Sequence, residues 1–177
     1  MKKSLYIFLF SILPLVSFGQ IKRNFDGIVL GKTTKQGVVN YFSNKGIPYT
    51  FTNIGTYDAV SSKEGRPFGG VLWQFNDYVL FNNIVFQITY TKMSGQGLTI
   101  TKEEIDVEFE RLFLSLKHKY GSYFKSSKSD KDTKEFSDSS IRISLRRGFY
   151  QDHYMFSIEY TDLKIMEKSF MSHDDEL

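Results

Sequence analysis

The 177-residue chain contains no cysteine, only three prolines and one tryptophan. Without cysteine there are no disulfides, no thiol nucleophile and no cysteine-held zinc or iron–sulfur site. The near-absence of proline, with 41% hydrophobic and 16% aromatic residues, excludes a disordered or low-complexity chain. No Asn-x-Ser/Thr glycosylation acceptor occurs. No large excess of one charge exists either. The formal charge is +3, and two of those positive charges are Lys2 and Lys3. The remainder is almost neutral, so nucleic acid is not an expected partner.

The charge-poor start is the first positive signal. Lys2 and Lys3 precede an apolar run from Leu5 to Val16, and Ser17 and Gly19 place small residues three and one before Gln20. That is the plan of a secretory signal peptide, here 1–19. It predicts an exported protein, periplasmic or secreted, with no stable membrane span after cleavage. The acidic end, His173-Asp174-Asp175-Glu176-Leu177, shares its last three residues with an ER-retention signal, but Asp174 stands where Lys is required. It reads as part of a polar C-terminal tail, 164–177.

Two helices are legible. Thr33 and Gln36 have capping-box spacing, Val38, Val39, Tyr41 and Phe42 form a stripe, and Gly46 followed by Pro48 stops a helix over about 34–45. Thr101 and Glu104 form a second box. From there Ile105, Phe109, Leu112, Phe113, Leu116 and Tyr120 recur at helical spacing up to Gly121. Acidic residues crowd its front and basic residues its back, which complements the helix dipole.

Alternating aromatic segments follow each helix: 49–52, 70–81 and 84–92 after the first, then 122–125, 134–137, 141–149 and 154–162 after the second. Ile84, Phe86, Ile88 and Tyr90 alternate with Val85, Gln87, Thr89 and Thr91, and Phe156, Ile158 and Tyr160 alternate with Ser157, Glu159 and Thr161. The expected fold class is α+β, with two repeated helix-plus-antiparallel-sheet units at 20–97 and 98–163. The helices would lie on one sheet face, leaving a concave open face opposite.

The pattern Gly31-x-Thr33-(x)4-Val38-(x)3-Phe42-(x)2-Lys45-Gly46, the strand-rich remainder and the second round from Thr101 resemble the tandem-repeat fold of β-lactamase inhibitory protein. Small outer-membrane assembly lipoproteins use a related half. The resemblance spans about 24–162 and implies a non-catalytic domain that binds another protein on a concave sheet. The chain departs from both groups in lacking their cysteines, so neither partner nor functional residue carries over.

Catalytic patterns fail on spacing. The stretch from Gly27 to Thr33 is one residue short of a phosphate-binding loop, and Ser94-Gly95-Gln96-Gly97 lacks the first glycine of a nucleophile elbow. His118, His153 and His173 form no ligand pair, and no metal or cofactor is expected. Glu104 and Glu108, one turn apart, fall on the exposed side of the second helix. The remaining candidates are contact residues. Arg142 and Arg146 share a polar strand face, with Glu159 able to pair across. By alternation Gln74, Tyr78 and Gln87 would join them on one concave surface, because Arg and Tyr are enriched where proteins meet. The expectation is a protein-binding module. The alternatives are a carbohydrate or small-ligand binder or hydrolase, with Tyr57 or Tyr78 stacking on a sugar, and an envelope assembly or structural factor.

N-terminal sequencing of the protein from its native host is expected to read Gln20 first. Met1 on a membrane-bound form would overturn the cleavage.

Overall fold

The computed structural model describes residues 20–95 and 100–174. The signal segment 1–19 and part of the glycine loop between the two expected units lie outside the described residues. A small hairpin, β1 (Asn24–Phe25) and β2 (Ile28–Val29), leads into α1 (Lys35–Asn44). Strands β3 (Thr50–Ile54) and β4 (Tyr57–Ser62) follow, then a second small hairpin, β5 (Arg66–Phe68) and β6 (Val71–Trp73). The first half ends with β7 (Phe75–Phe81) and β8 (Ile84–Met93). The second half is α2 (Lys102–Tyr120), β9 (Thr133–Ser137), β10 (Ile141–Tyr150), β11 (His153–Asp162) and α3 (Leu163–Asp174).

The α+β class is as expected. Seven antiparallel strands form one continuous sheet in the order β3-β4-β7-β8-β11-β10-β9. Two two-residue turns keep the hairpins tight: Asn82-Asn83 and Gln151-Asp152 all have positive φ, from 47° to 67°. Such turns match the right-handed strand twist. The sheet's first face carries the core. Tyr78, Ile88, Tyr90, Ile143, Leu145, Phe156 and Ile158 on that face are all buried, beneath Val38 and Phe42 of α1 and Ile105, Phe109 and Leu112 of α2. Trp73 of the second hairpin closes the middle, its ring centroid 4.8 Å from that of Phe156.

Local capping explains the helix starts. Thr101 and Glu104 form the expected reciprocal box. In α1 the cap is Thr34 rather than Thr33, its hydroxyl accepting the Gly37 N–H at 3.2 Å. Thr33 is occupied one step earlier, where its hydroxyl accepts the Val29 N–H at 2.8 Å and its carbonyl accepts Val85 N–H. Gly46 ends α1 with φ +65°, but Gly121 is right-handed. The chain therefore continues past α2 in a 3₁₀ turn, Gly121–Tyr123, where a strand was expected. Gly31 is a position only glycine fits: φ is +77°, and a Cβ would collide with the Asp162 carboxylate that pairs with Arg23.

Salt bridges tie α2 down at both its faces. Arg147 of β10 reaches Asp106 at 3.1 Å, Glu110 at 3.3 Å and Asp132 at 3.1 Å, and lies over the Phe109 ring. Burial opposes the charge on Asp106, but hydrogen bonds from Lys102 and the Tyr154 hydroxyl, with Arg147 alongside, hold its carboxyl below the usual range. Burial and that same carboxylate push the Tyr154 hydroxyl up to about 12. Glu108 is not a free surface acid, because it pairs at 2.6 Å with the buried Lys92.

The opposite sheet face departs from expectation. Residues read as a polar tail form α3, which lies on that face. Asp162 caps it by accepting the N–H groups of Lys164 and Ile165, both at 3.1 Å. Ser169 is fully buried against the Tyr57 hydroxyl, and Met166 touches Arg142. The helix thus covers one end of the face, where Ala59, Val79 and Phe86 are buried.

Phe156→Ala removes a fully buried ring packed on Trp73 and Phe109. Its expected loss is about 3–5 kcal/mol by urea unfolding. Leu114→Ala, 63% exposed on α2, should stay within about 0.5 kcal/mol.

Candidate functional site

Beyond α3 the second sheet face stays uncovered by any described element, and its composition follows from strand register. Residues opposite one another across successive strands run Thr50, Ser61, Asp77, Thr89, Glu159, Ser144, Glu135. This row crosses the whole sheet and consists of hydroxyls and three carboxylates. The carboxylates alternate with hydroxyl residues, so neighbouring acids stand about 10 Å apart, two strand spacings. The next row toward the open end is Phe75, Thr91, Ser157, Arg146, Thr133.

The three acids differ in what surrounds them. Glu159 accepts hydrogen bonds from the Gln87 amide at 3.1 Å, the Thr161 hydroxyl at 2.9 Å and Arg142 at 3.4 Å. Glu135 faces Lys128 at 3.6 Å. Asp77 has the Ser61 hydroxyl, and no Lys, Arg or His forms an ion pair with it among the described residues. Ser61 in turn bonds Thr52 at 2.9 Å. Burial pushes the Asp77 carboxyl above the ordinary carboxylate range, and the Ser61 bond offsets that only in part.

Asp77 lies in a cleft of about 310 Å³ at the uncovered end of the face. Its lining includes the hydroxyl residues Thr50, Ser61 and Thr91 and the apolar side chains of Phe75, Met93, Met155 and Tyr150. Tyr150 belongs to the β10–β11 hairpin tip, where it is 59% exposed and its neighbour Phe149 is 74% exposed. A concave apolar surface with a few convergent polar groups is the usual build of a recognition site.

Of the sequence-derived contact residues, Gln87, Arg142 and Arg146 do share this face. Arg142 is engaged by Glu159 and Met166, and its Nε is buried without a partner. Arg146 is exposed, its Nε donating to Ser144 at 2.9 Å. Tyr78 is not on the face. It is 1% exposed in the core, where Arg66 donates to its hydroxyl at 3.2 Å. Gln74 serves the backbone, accepting Met93 N–H at 2.8 Å and donating its own N–H to the Thr91 carbonyl.

Both departures have one cause. The stretch 70–81 is two strands, β6 and β7, with a break at Gln74. Val71 and Trp73 face the core before the break, and Asn76, Tyr78 and Leu80 after it. A one-residue slip exchanges faces, so Tyr78 goes inward and Asp77 outward. The missed residue had a signal in the sequence: an aspartate inside a strand otherwise rich in aromatic and aliphatic residues is depleted in that setting.

No protein-family model, curated protein or solved structure matches the chain.

Because folding raises the Asp77 pKa, its ionised form weakens the native state, and that penalty is fully present above the folded pKa. It fades as pH falls toward the unfolded value near about 3.9. Asp77→Asn is therefore expected to raise Tm at pH 7, with the gain shrinking toward pH 4 in a Tm-against-pH series.

Proposed function

We propose that this chain is an exported, non-catalytic protein-binding module of the cell envelope or the secreted space. It engages another protein through the uncovered end of the sheet face opposite α1 and α2. The observation that carries this reading is the contrast between the two faces. One is covered by helices and hairpins, while the other keeps a strand-built cleft open, with exposed Tyr150 in its lining and exposed Arg146 two strands along the same row. Arg and Tyr are residue types that anchor interfaces.

The two-unit plan resembling β-lactamase inhibitory protein belongs to the same reading. Its support is the mirrored strand order, in which β8 and β11, the last strands of the two halves, pair at the centre. Each half also opens with its own helix. A role as an envelope assembly factor fits the same surface and would differ only in the partner's identity. The sugar-binding alternative loses its two stacking rings. Tyr78 is buried, and Tyr57 is held against Ser169 beneath α3.

The test is crosslinking and capture from the native envelope fraction with the tagged chain from Gln20 onward. Arg146→Glu is expected to abolish capture while leaving stability within about 0.5 kcal/mol. Arg142→Glu is not equivalent, because it would place a carboxylate against Glu159. That variant should lose about 1–3 kcal/mol. Capture that survives Arg146→Glu but is lost with Leu114→Glu would move the interface to α2 and overturn the reading.

A further inference from the structure

We propose that the Asp77 cleft receives a lysine side chain of the partner protein. This rests on the binding-module reading above and names the chemistry the surface recognises. Two charged side chains line the cleft, half-buried Asp77 and exposed Lys63. Lys63 is exposed and makes no ion pair with Asp77. The carboxylate thus stands half-buried among apolar walls with its charge unmatched, which favours a cationic guest.

Three features choose among cations. A calcium or magnesium ion takes several oxygen ligands, usually with more than one carboxylate. Here Glu159, the next acid along the row, is two strands away and already engaged by Gln87, Thr161 and Arg142. A guanidinium is best met by both oxygens of a carboxylate in a planar fork. Asp77 already receives the Ser61 hydroxyl. An ammonium needs three separate acceptors around a point, and Asp77 with Ser61 and Thr91, on the two strands that flank β7, presents that kind of set. The four-carbon stem of lysine would then lie along Phe75, Met93, Met155 and Tyr150, where its methylene groups are desolvated.

The probe is Nα-acetyl-lysine N-methylamide, titrated into isotope-labelled protein and followed by amide chemical shifts, with the norleucine and arginine counterparts alongside. Saturable shifts around Asp77, Thr91 and Met93 are expected with lysine, with affinity at least tenfold weaker for norleucine. Asp77→Asn should remain folded and lose the lysine response by at least tenfold. Binding should also weaken as pH falls and Asp77 takes up its proton. The proposal is overturned if Asp77→Asn binds the lysine probe within twofold of the native chain, if norleucine binds equally, or if arginine binds tighter. The two levels separate cleanly. A partner captured equally well by Asp77→Asn sinks the lysine site and leaves the binding module standing. A lysine response in a chain that captures no protein sinks the module and makes the cleft a site for free amines.

Discussion

The pairing of β8 with β11 is the contact on which everything else rests. Seven residue pairs, from Met155 opposite Met93 to Thr161 opposite Gln87, join strands that lie more than 60 positions apart in the chain. Without it the first half would end on an open apolar edge and the second would be three strands under one helix. With it, Ile88 and Tyr90 meet Ile158 and Tyr160, and the core becomes continuous from α1 to α2. The same register fixes the far face. Because neighbours alternate, placing those four side chains inward places Gln87, Thr89, Glu159 and Thr161 outward in one polar patch.

Most polar groups inside this frame are matched, and among the described residues Arg23 Nε, Asn76 Oδ1 and Arg142 Nε are buried side-chain atoms left without a partner. Asp138 accepts the N–H groups of Ile141, Ser140 and Ile21, which hold its carboxyl low against the opposing effect of burial. The last of these anchors the start of the described chain across the sheet, 117 positions away. Asp26 is held low chiefly by its hydrogen bond from Lys45, with Arg66 adding to the effect. Arg66 in turn donates to the core phenol Tyr78. Burial keeps the Tyr90 and Tyr160 hydroxyls far above their ordinary range, so they stay neutral. Asp77 differs from Asp138 and Asp26 in that burial, offset only in part by Ser61, holds its carboxyl above the ordinary range.

Elements with strong local signals were legible in the sequence. The capped, dipole-matched α2 and the alternating strands around 84–92, 141–149 and 154–162 have boundaries within a residue or two of those observed. The α+β class followed from them. What escaped was set by single positions. Gln74 interrupts a run that looks continuous, because its side chain replaces a ladder bond to Met93, and the faces of the following residues exchange. Helix α3 lies in the stretch read as a tail, though Asp162 as cap, half-buried Leu163 and Met166 and buried Ser169 at helical spacing outline its covered side. Arg142 and Arg146 were read correctly as sharing a face, but alternation alone does not show that α3 reaches one and leaves the other exposed.

The central claim is that the uncovered end of the second sheet face, and not the helical face, meets the partner. Site-specific photocrosslinking tests it most directly. A photoreactive residue replaces Tyr150 at the cleft wall in one chain and Leu114 on α2 in another, with both irradiated in the native envelope fraction. The account predicts a discrete protein adduct from position 150 and none from position 114. Adducts from position 114 with none from position 150 would contradict it.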